Sequence, residues 1–244
     1  MSLIRVPDRA MVLAAGKGVR LRPLTLTKPK PLVPVDGRPM LDMVLDRLAG
    51  IGVEEAVVNT HHLGHMIEGH LRPRERPRIR FSREEVLLET GGGVKKALPF
   101  LGERPFFVLN GDIVWRDGKT PTLLRLAEAW DDAIMDALLL LQPTASAIGY
   151  EGNGDFVMDQ LGRLRRRRES EIAPFLFAGL QILKPSLFTD TPEEPFSLNL
   201  LYDRALSGGR LYGLRHDGSW YHVGTPEDLQ RVEAALRPGS EQVF

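Results

Sequence analysis

An α/β fold, with a mostly parallel sheet flanked by helices, is what this sequence predicts, and three observations predict it. Short apolar runs of strand length alternate with segments whose apolar residues recur at helical spacing, from residue 10 to residue 142, and such alternation reads as βαβ units. Glycine turns follow at once on two of the apolar runs, at Gly16 and Gly111. The chain's 244 residues suffice for one sizeable buried core. The first strand, over 10–15, is apolar and stops at the glycines. A helix over 40–48 carries apolar residues at helical spacing, followed by a strand over 56–59 and a helix over 62–71. Next come a strand over 79–82, a helix over 92–101 and a strongly apolar strand over 105–109. A helix over 122–130 and a strand over 137–142 complete the regular part. Strands over 155–158, 176–183 and 211–214 are joined by turns, which suits a small antiparallel appendage covering the end of the sheet. No internal repeat and no Ser/Gly linker interrupts the chain. One domain over 10–236 is therefore expected, with short tails at 1–9 and 237–244.

Composition narrows the function classes. Thirty-two Lys and Arg balance thirty-two Asp and Glu, so no overall charge argues for nucleic acid or for an anionic membrane. Cysteine is absent, which excludes disulfides and thiolate metal sites. The opening MSLIRVPDRA has no apolar core of a secretory signal. The longest apolar run, 137–141, is far short of the ~20 residues of a membrane span. A cytoplasmic protein is expected.

The most informative stretch is VLAAGKGVRLRPLTLTKPKPLVPV, residues 12–35. Glycine admits left-handed backbone and lets a ligand approach without a Cβ in the way, so a glycine turn after a buried strand is a common phosphate cradle. Neither familiar phosphate motif fits: the Walker spacing is absent, and the dinucleotide fingerprint lacks its third glycine. Pro23 and Pro29 oppose a helix directly after the turn. What remains is a stiff loop bearing Arg20, Arg22, Lys28 and Lys30, suited to a polyphosphate.

This stretch resembles the signature of the sugar-1-phosphate nucleotidylyltransferases, which join a nucleoside triphosphate to a sugar 1-phosphate and release pyrophosphate. The resemblance rests on Leu13-Ala14-Ala15-Gly16, Gly18, Arg20-Leu21, Pro23-Leu24-Thr25 and Pro29-Lys30-Pro31-Leu32-Val33-Pro34. It implies a single Rossmann-like nucleotidyltransferase domain whose antiparallel appendage lies on the sugar side. It further implies that Arg20 meets the triphosphate, Lys30 the reacting phosphates, and Leu13, Ala14, Ala15, Gly16, Gly18 and Val19 the nucleotide.

The second cluster, Leu109-Asn110-Gly111-Asp112, ends the strongly apolar strand, and ligands of open α/β sheets lie beyond such strand ends. A carboxylate beside phosphates repels them unless a cation intervenes, and Mg²⁺ suits one or two carboxylates plus phosphate oxygens. The resemblance implies that Asp112 is a Mg²⁺ ligand, with Asn110 beside the nucleotide. Third, Thr90-Gly91-Gly92-Gly93 reads as a loop exposing free amides before a helix; by resemblance Thr90, Gly91 and Gly92 recognise the base. On the acceptor side the resemblance implies sugar contacts from Asn153, Gly154, Asp155 and Gly179. The arginine run at 163–168 is read as a solvated face or as a grip on an anionic group of the acceptor.

One departure stands out. Trp220-Tyr221-His222-Val223-Gly224-Thr225 resembles the family's late motif, in which an Asp is the second metal ligand; here His222 takes that place. Imidazole suits Mn²⁺ or Zn²⁺ better than Mg²⁺. Direct ligation, action through a water, or a phosphate contact as imidazolium are all open to it, as is replacement by another carboxylate such as Asp217. Asp228 is a poorer substitute, because Thr225, Pro226 and Asp228 read as N-cap, N1 and N3 of a helix. His61, His62, His65 and His70 lie close in sequence, but without the carboxylates expected of a zinc site.

LETGGGVKKALPFLG, FFVLNGD and GNGDF are closest in wording to the family's compact uridylyltransferase branch, which acts on N-acetylmuramate 1-phosphate in peptidoglycan recycling. That implies UTP as donor. Hexose-1-phosphate uridylyl- or thymidylyltransferase and mannose-1-phosphate guanylyltransferase activities are the alternatives, as is a nucleotide-binding regulatory protein without catalysis.

Overall fold

A computed structural model describes residues 5–237. In chain order its elements are β1 (Arg9–Leu13), β2 (Pro34–Val35), β3 (Arg38–Pro39), α1 (Met40–Gly50), β4 (Glu55–Thr60), α2 (Gly64–Leu71), β5 (Arg78–Arg83), α3 (Glu89–Leu101), β6 (Phe106–Asn110) and β7 (Val114–Arg116). They continue with α4 (Thr122–Ala129), β8 (Ala137–Pro143), β9 (Phe156–Met158), β10 (Leu164–Arg166), β11 (Phe175–Leu183), α5 (Asn199–Ser207), β12 (Leu211–Arg215), β13 (Ser219–Tyr221) and α6 (Pro226–Leu236).

Among the described residues a nine-stranded sheet runs β10-β9-β11-β6-β1-β4-β5, with β8 and β12 joining beside β11. The pairs β6–β1, β1–β4 and β4–β5 are parallel, so their carboxyl ends share one edge. Side chains alternate across each strand. In β1, Ala10 and Val12 therefore enter one core with Leu41, Leu45 and Leu126 of α1 and α4. Met11 enters the opposite core with Val94, Ala97 and Leu201 of α3 and α5. A third cluster, from Leu21, Val33, Val114, Tyr221 and Val232, packs the proline loop against α6 and β7–β13. That packing fixes the loop without regular structure: it makes only single 3₁₀ turns at Val19–Leu21, Leu24–Leu26 and Lys30–Leu32, as its prolines require.

The structure changes two expectations. The antiparallel appendage is only the hairpin β9–β10. β11 instead enters the main sheet, antiparallel to both β6 and β8, and β12 pairs parallel with β8. Which strand a partner chooses is decided by distant registers that a local apolar run does not encode. In addition α3 begins at Glu89, three residues before the expected start, so the triple glycine lies inside its first turn.

Candidate active site

A cleft of about 530 Å³ opens along the shared carboxyl edge of β1, β4 and β6. Leu13, Ala14, Ala15, Gly16, Gly18, Val19, Arg20, Lys30, Thr90, Asn110 and Asp112 all line it. A Cβ at Gly16 would have no other protein atom within 4 Å, so the backbone there is open to a ligand. Gly18 is left-handed at φ 58°, and a Cβ there would stand 2.9 Å from the Lys30 Cβ. Its glycine lets Lys30 fold back beneath the loop, and its carbonyl accepts the Thr25 hydroxyl at 2.8 Å. Lys30 Nζ then reaches Asp112 Oδ2 at 2.7 Å, a half-buried ion pair on the cleft floor. Behind Asp112, the Gly111 amide donates to the Leu13 carbonyl at 2.8 Å and locks the two strand ends together.

The far wall is built differently from the expectation. The amides of Gly91 and Gly92 both donate to the Phe196 carbonyl, at 2.8 and 3.1 Å, so they are not free donors. A Cβ at Gly91 would collide with the Phe196 ring. The glycines are thus the seat of the segment before α5, pinned further by the Leu198 amide on the Thr90 hydroxyl at 2.9 Å and by Lys95 on the Thr191 and Pro192 carbonyls. Thr90 itself faces the cleft, beside Leu87, Glu89 and Ser197. Glu89 adopts a left-handed φ of 59° at this wall, uncommon outside glycine.

At the other end of the cleft stands Gly224, and beyond it a second recess of about 610 Å³ that shares Arg20 and is lined by Tyr150, Glu151, Gly152, His222 and Arg231 among others. His222 stacks on Trp220 with ring centres 5.9 Å apart, and its amide donates to the Ile148 carbonyl. Burial first, then the charges of Lys30 and Arg20, hold its pKa below the ordinary histidine value. In the free protein both effects favour the neutral ring, which offers a nitrogen donor. Asp228 is consumed as expected: it accepts the Thr225 and Gly224 amides while Thr225 caps its own amide. Asp217 does not stand in for a ligand, because the turn after β12 sends it onto α4, where it pairs with Arg125 at 2.6 Å.

Asn153, Gly154 and Asp155 follow directly on this recess in the chain. Gly154 is left-handed at φ 72° and donates to the Tyr150 hydroxyl at 3.1 Å. The Asp155 carboxylate accepts the Phe177 amide at 2.8 Å. Gly179 sits in the irregular register of β11, where a Cβ would stand 3.0 Å from Asn110 Nδ2, so it backs a cleft residue. The arginine run is tied down locally: Arg165 grips Glu171 with both nitrogens, Arg166 reaches Asp203 and Asn199, Arg163 donates to the Tyr212 hydroxyl, and Arg167 to backbone carbonyls. His61, His62 and His70 meet the Glu84 carbonyl, the Thr25 carbonyl and Asp42 respectively, in three different directions. A larger cavity, about 650 Å³ near Arg5 and Trp130, holds none of the residues the sequence marked.

Sequence reasoning missed Asn59, Ser197 and Gly224 as cleft residues. Asn59 carried a signal, a polar residue closing an otherwise apolar strand; Ser197 lies in a stretch without pattern.

Comparison with known proteins agrees in outline. The family profile described as nucleotidyl transferase matches residues 9–166. N-acetylmuramate alpha-1-phosphate uridylyltransferase of Caulobacter vibrioides is 44% identical over 237 residues, covering 95% of this chain and 98% of the relative. The protein of the same description from Neisseria meningitidis serogroup B is 33% identical, over 93% of this chain and 97% of its own. Among solved structures, UDP-glucose pyrophosphorylase complexed with UDP-glucose superposes with a TM-score of 0.77 at 18% identity, over 93% of this chain and 97% of that one, a likeness of fold.

Proposed function

This chain belongs to the nucleotidyl transferase family and is a sugar-1-phosphate nucleotidylyltransferase, and within that class we propose that it transfers UMP from UTP to N-acetylmuramate 1-phosphate, releasing pyrophosphate, as a single catalytic domain over residues 10–236. The observation that carries the reading is the Lys30–Asp112 pair, 2.7 Å apart and facing the open loop at Gly16 in one cleft. The two uridylyltransferase relatives, matched nearly end to end, support the choice of substrates.

In this reading the base and ribose lie between Leu13–Gly16 and Thr90, with Val19 and Asn110 alongside, while Gly91 and Gly92 act from behind by seating Phe196. Arg20 holds the triphosphate. A sugar-phosphate oxygen attacks the α-phosphorus in line as the bond to the β-phosphate oxygen breaks. The attacking oxyanion is already a nucleophile, so catalysis consists of positioning and charge neutralisation. Lys30 holds the two phosphates together against their repulsion, and Arg20 stabilises the departing pyrophosphate.

A divalent cation fits the floor of this cleft. The partly exposed Asp112 carboxylate already draws a positive charge, that of Lys30, and one carboxylate plus substrate phosphates is a usual set for Mg²⁺. Asp112 would hold Mg²⁺ or Mn²⁺, with His222, at the position of the late motif, a candidate for a second donor, and the ion would neutralise charge on the phosphates. Asn153, Gly154, Asp155 and Gly179 shape the acceptor end. No helix among the described residues is long and apolar enough to cross a membrane; a cytoplasmic reaction and a place in peptidoglycan recycling belong to the same proposal.

His222 in place of a carboxylate favours one second reading, a nucleotide-binding regulator without turnover. Pyrophosphate release, measured with four triphosphates against N-acetylmuramate, glucose and mannose 1-phosphates with Mg²⁺ or Mn²⁺, decides. The proposal expects UTP with N-acetylmuramate 1-phosphate to be the best pair. Faster turnover of another pair reassigns the substrates, and UTP binding without turnover on any acceptor supports the regulator.

A further inference from the structure

The glycine loop and the base-side wall are joined by a chain of buried polar groups that no step of the reaction uses. Asn59, at the end of β4 and 2% exposed, accepts the Ala14 amide on Oδ1 at 2.7 Å and donates from Nδ2 to Glu84 Oε1 at 2.6 Å. Glu84, 5% exposed, accepts the Leu88 amide on its other oxygen at 3.0 Å. The Ala14 amide can only donate, so the Asn59 carboxamide has one orientation, oxygen toward the loop and nitrogen toward Glu84. Burying a carboxylate is costly unless its oxygens are hydrogen-bonded, and here both are. Gly93 of α3 packs against the same pair: a Cβ there would stand 2.8 Å from Asn59 Nδ2 and 2.9 Å from Glu84 Oε1. The pair thus meets three elements that bound the cleft.

We propose that Asn59 and Glu84 are positioning residues, whose hydrogen-bonded pair sets the width of the slot between Ala14–Gly16 and Leu87–Thr90 in which base and ribose lie. This rests on reading the cleft as the nucleoside triphosphate site. Neither residue can be changed alone without breaking the pattern. Asn59→Asp sets two carboxylates face to face. Glu84→Gln brings an NH₂ group against a donor, either the Leu88 amide or Asn59 Nδ2. The double variant N59D/E84Q reverses the central bond and keeps everything else. Its carboxylate at 59 accepts from Ala14 and from the carboxamide at 84, whose oxygen accepts from Leu88, and the net charge is unchanged.

The test is calorimetric titration of UTP into the full chain and the three variants, with steady-state kinetics alongside. Each single variant is expected to lose about tenfold or more in UTP affinity, because the slot is no longer held preorganised at the width the nucleoside needs. Its KM for UTP should rise while kcat and the KM for the sugar phosphate stay within about threefold, the pattern of lost uniform binding. The double variant should recover to within about threefold of the parent, because all three hydrogen bonds are restored. Single variants that bind UTP like the parent overturn the inference, and so does a double variant that fails to fold or binds no better than the weaker single. If the singles do not fold, the double alone decides by the same affinities. A parent chain that binds no nucleoside triphosphate at all overturns the reading of the cleft, and this inference with it.

Discussion

The two walls of the cleft use glycine in opposite ways. On the phosphate wall, Gly16 leaves room that no protein atom fills, so the space belongs to a ligand. On the base wall, Gly91 and Gly93 leave room that the protein fills itself, with Phe196 against one and the Asn59–Glu84 pair against the other. A missing side chain marks a close approach in both cases. Only the tertiary structure says what approaches, which is why the string TGGG read as a ligand loop and folded as a packed first turn.

The contrast can be broken most forcefully on the phosphate wall. Lys30→Ala and Asp112→Ala are each expected to lower kcat by about 10²-fold or more, as loss of a preorganised charge does, with the unfolding transition nearly unchanged. Turnover near that of the parent in either variant would end their assignment. Next, Gly91→Ala should cost about 1–3 kcal/mol in urea unfolding, since a Cβ is forced against Phe196. Gly16→Ala, with open space around it, should stay within about 0.5 kcal/mol of the parent yet weaken UTP binding. Equal stability losses at the two glycines would erase the distinction. Smaller still is Thr225→Ala, which removes the cap of α6 beneath His222 and should cost about 1 kcal/mol, read by the same unfolding titration.

The smallest effect concerns pH. His216 is 2% exposed, its Nδ1 has no partner, and burial pushes its pKa below the ordinary value of 6.5. The unfolded chain therefore takes up a proton in a range where the folded chain resists it. Stability is full above about pH 6.5 and declines as pH falls below it, because there the unfolded state binds more protons. Unfolding midpoints of His216→Gln should fall less steeply than those of the parent between pH 6.5 and 5. Parallel slopes would show that His216 titrates alike in both states.

Legibility in the sequence followed the range of the interactions involved. β1, β4 and β6 were readable to within a residue or two, because continuous apolar runs are local facts. Gly16, Gly18, Arg20, Lys30 and Asp112 were readable as a group because their spacing resembles a known signature, and the structure brings them to one cleft. The pairing of β7 with β13 was not readable: each has three residues, and they lie about a hundred positions apart. Nor was the entry of β11 into the centre of the sheet, where register with β6 and β8 decides. α5 was missed because Asn199, Asp203 and Arg204 dilute its apolar face, and with it went the crossing of Phe196 over α3.

Amide hydrogen exchange with and without UTP and a divalent cation tests the two-wall account most directly. The account predicts that amides at 16–20 exchange quickly in the free protein and slow on adding UTP, while those of Gly91 and Gly92, already bonded to Phe196, are slow in both. Fast exchange at Gly91 and Gly92 that is quenched only by UTP would contradict it, making them the base-reading donors that the sequence first suggested.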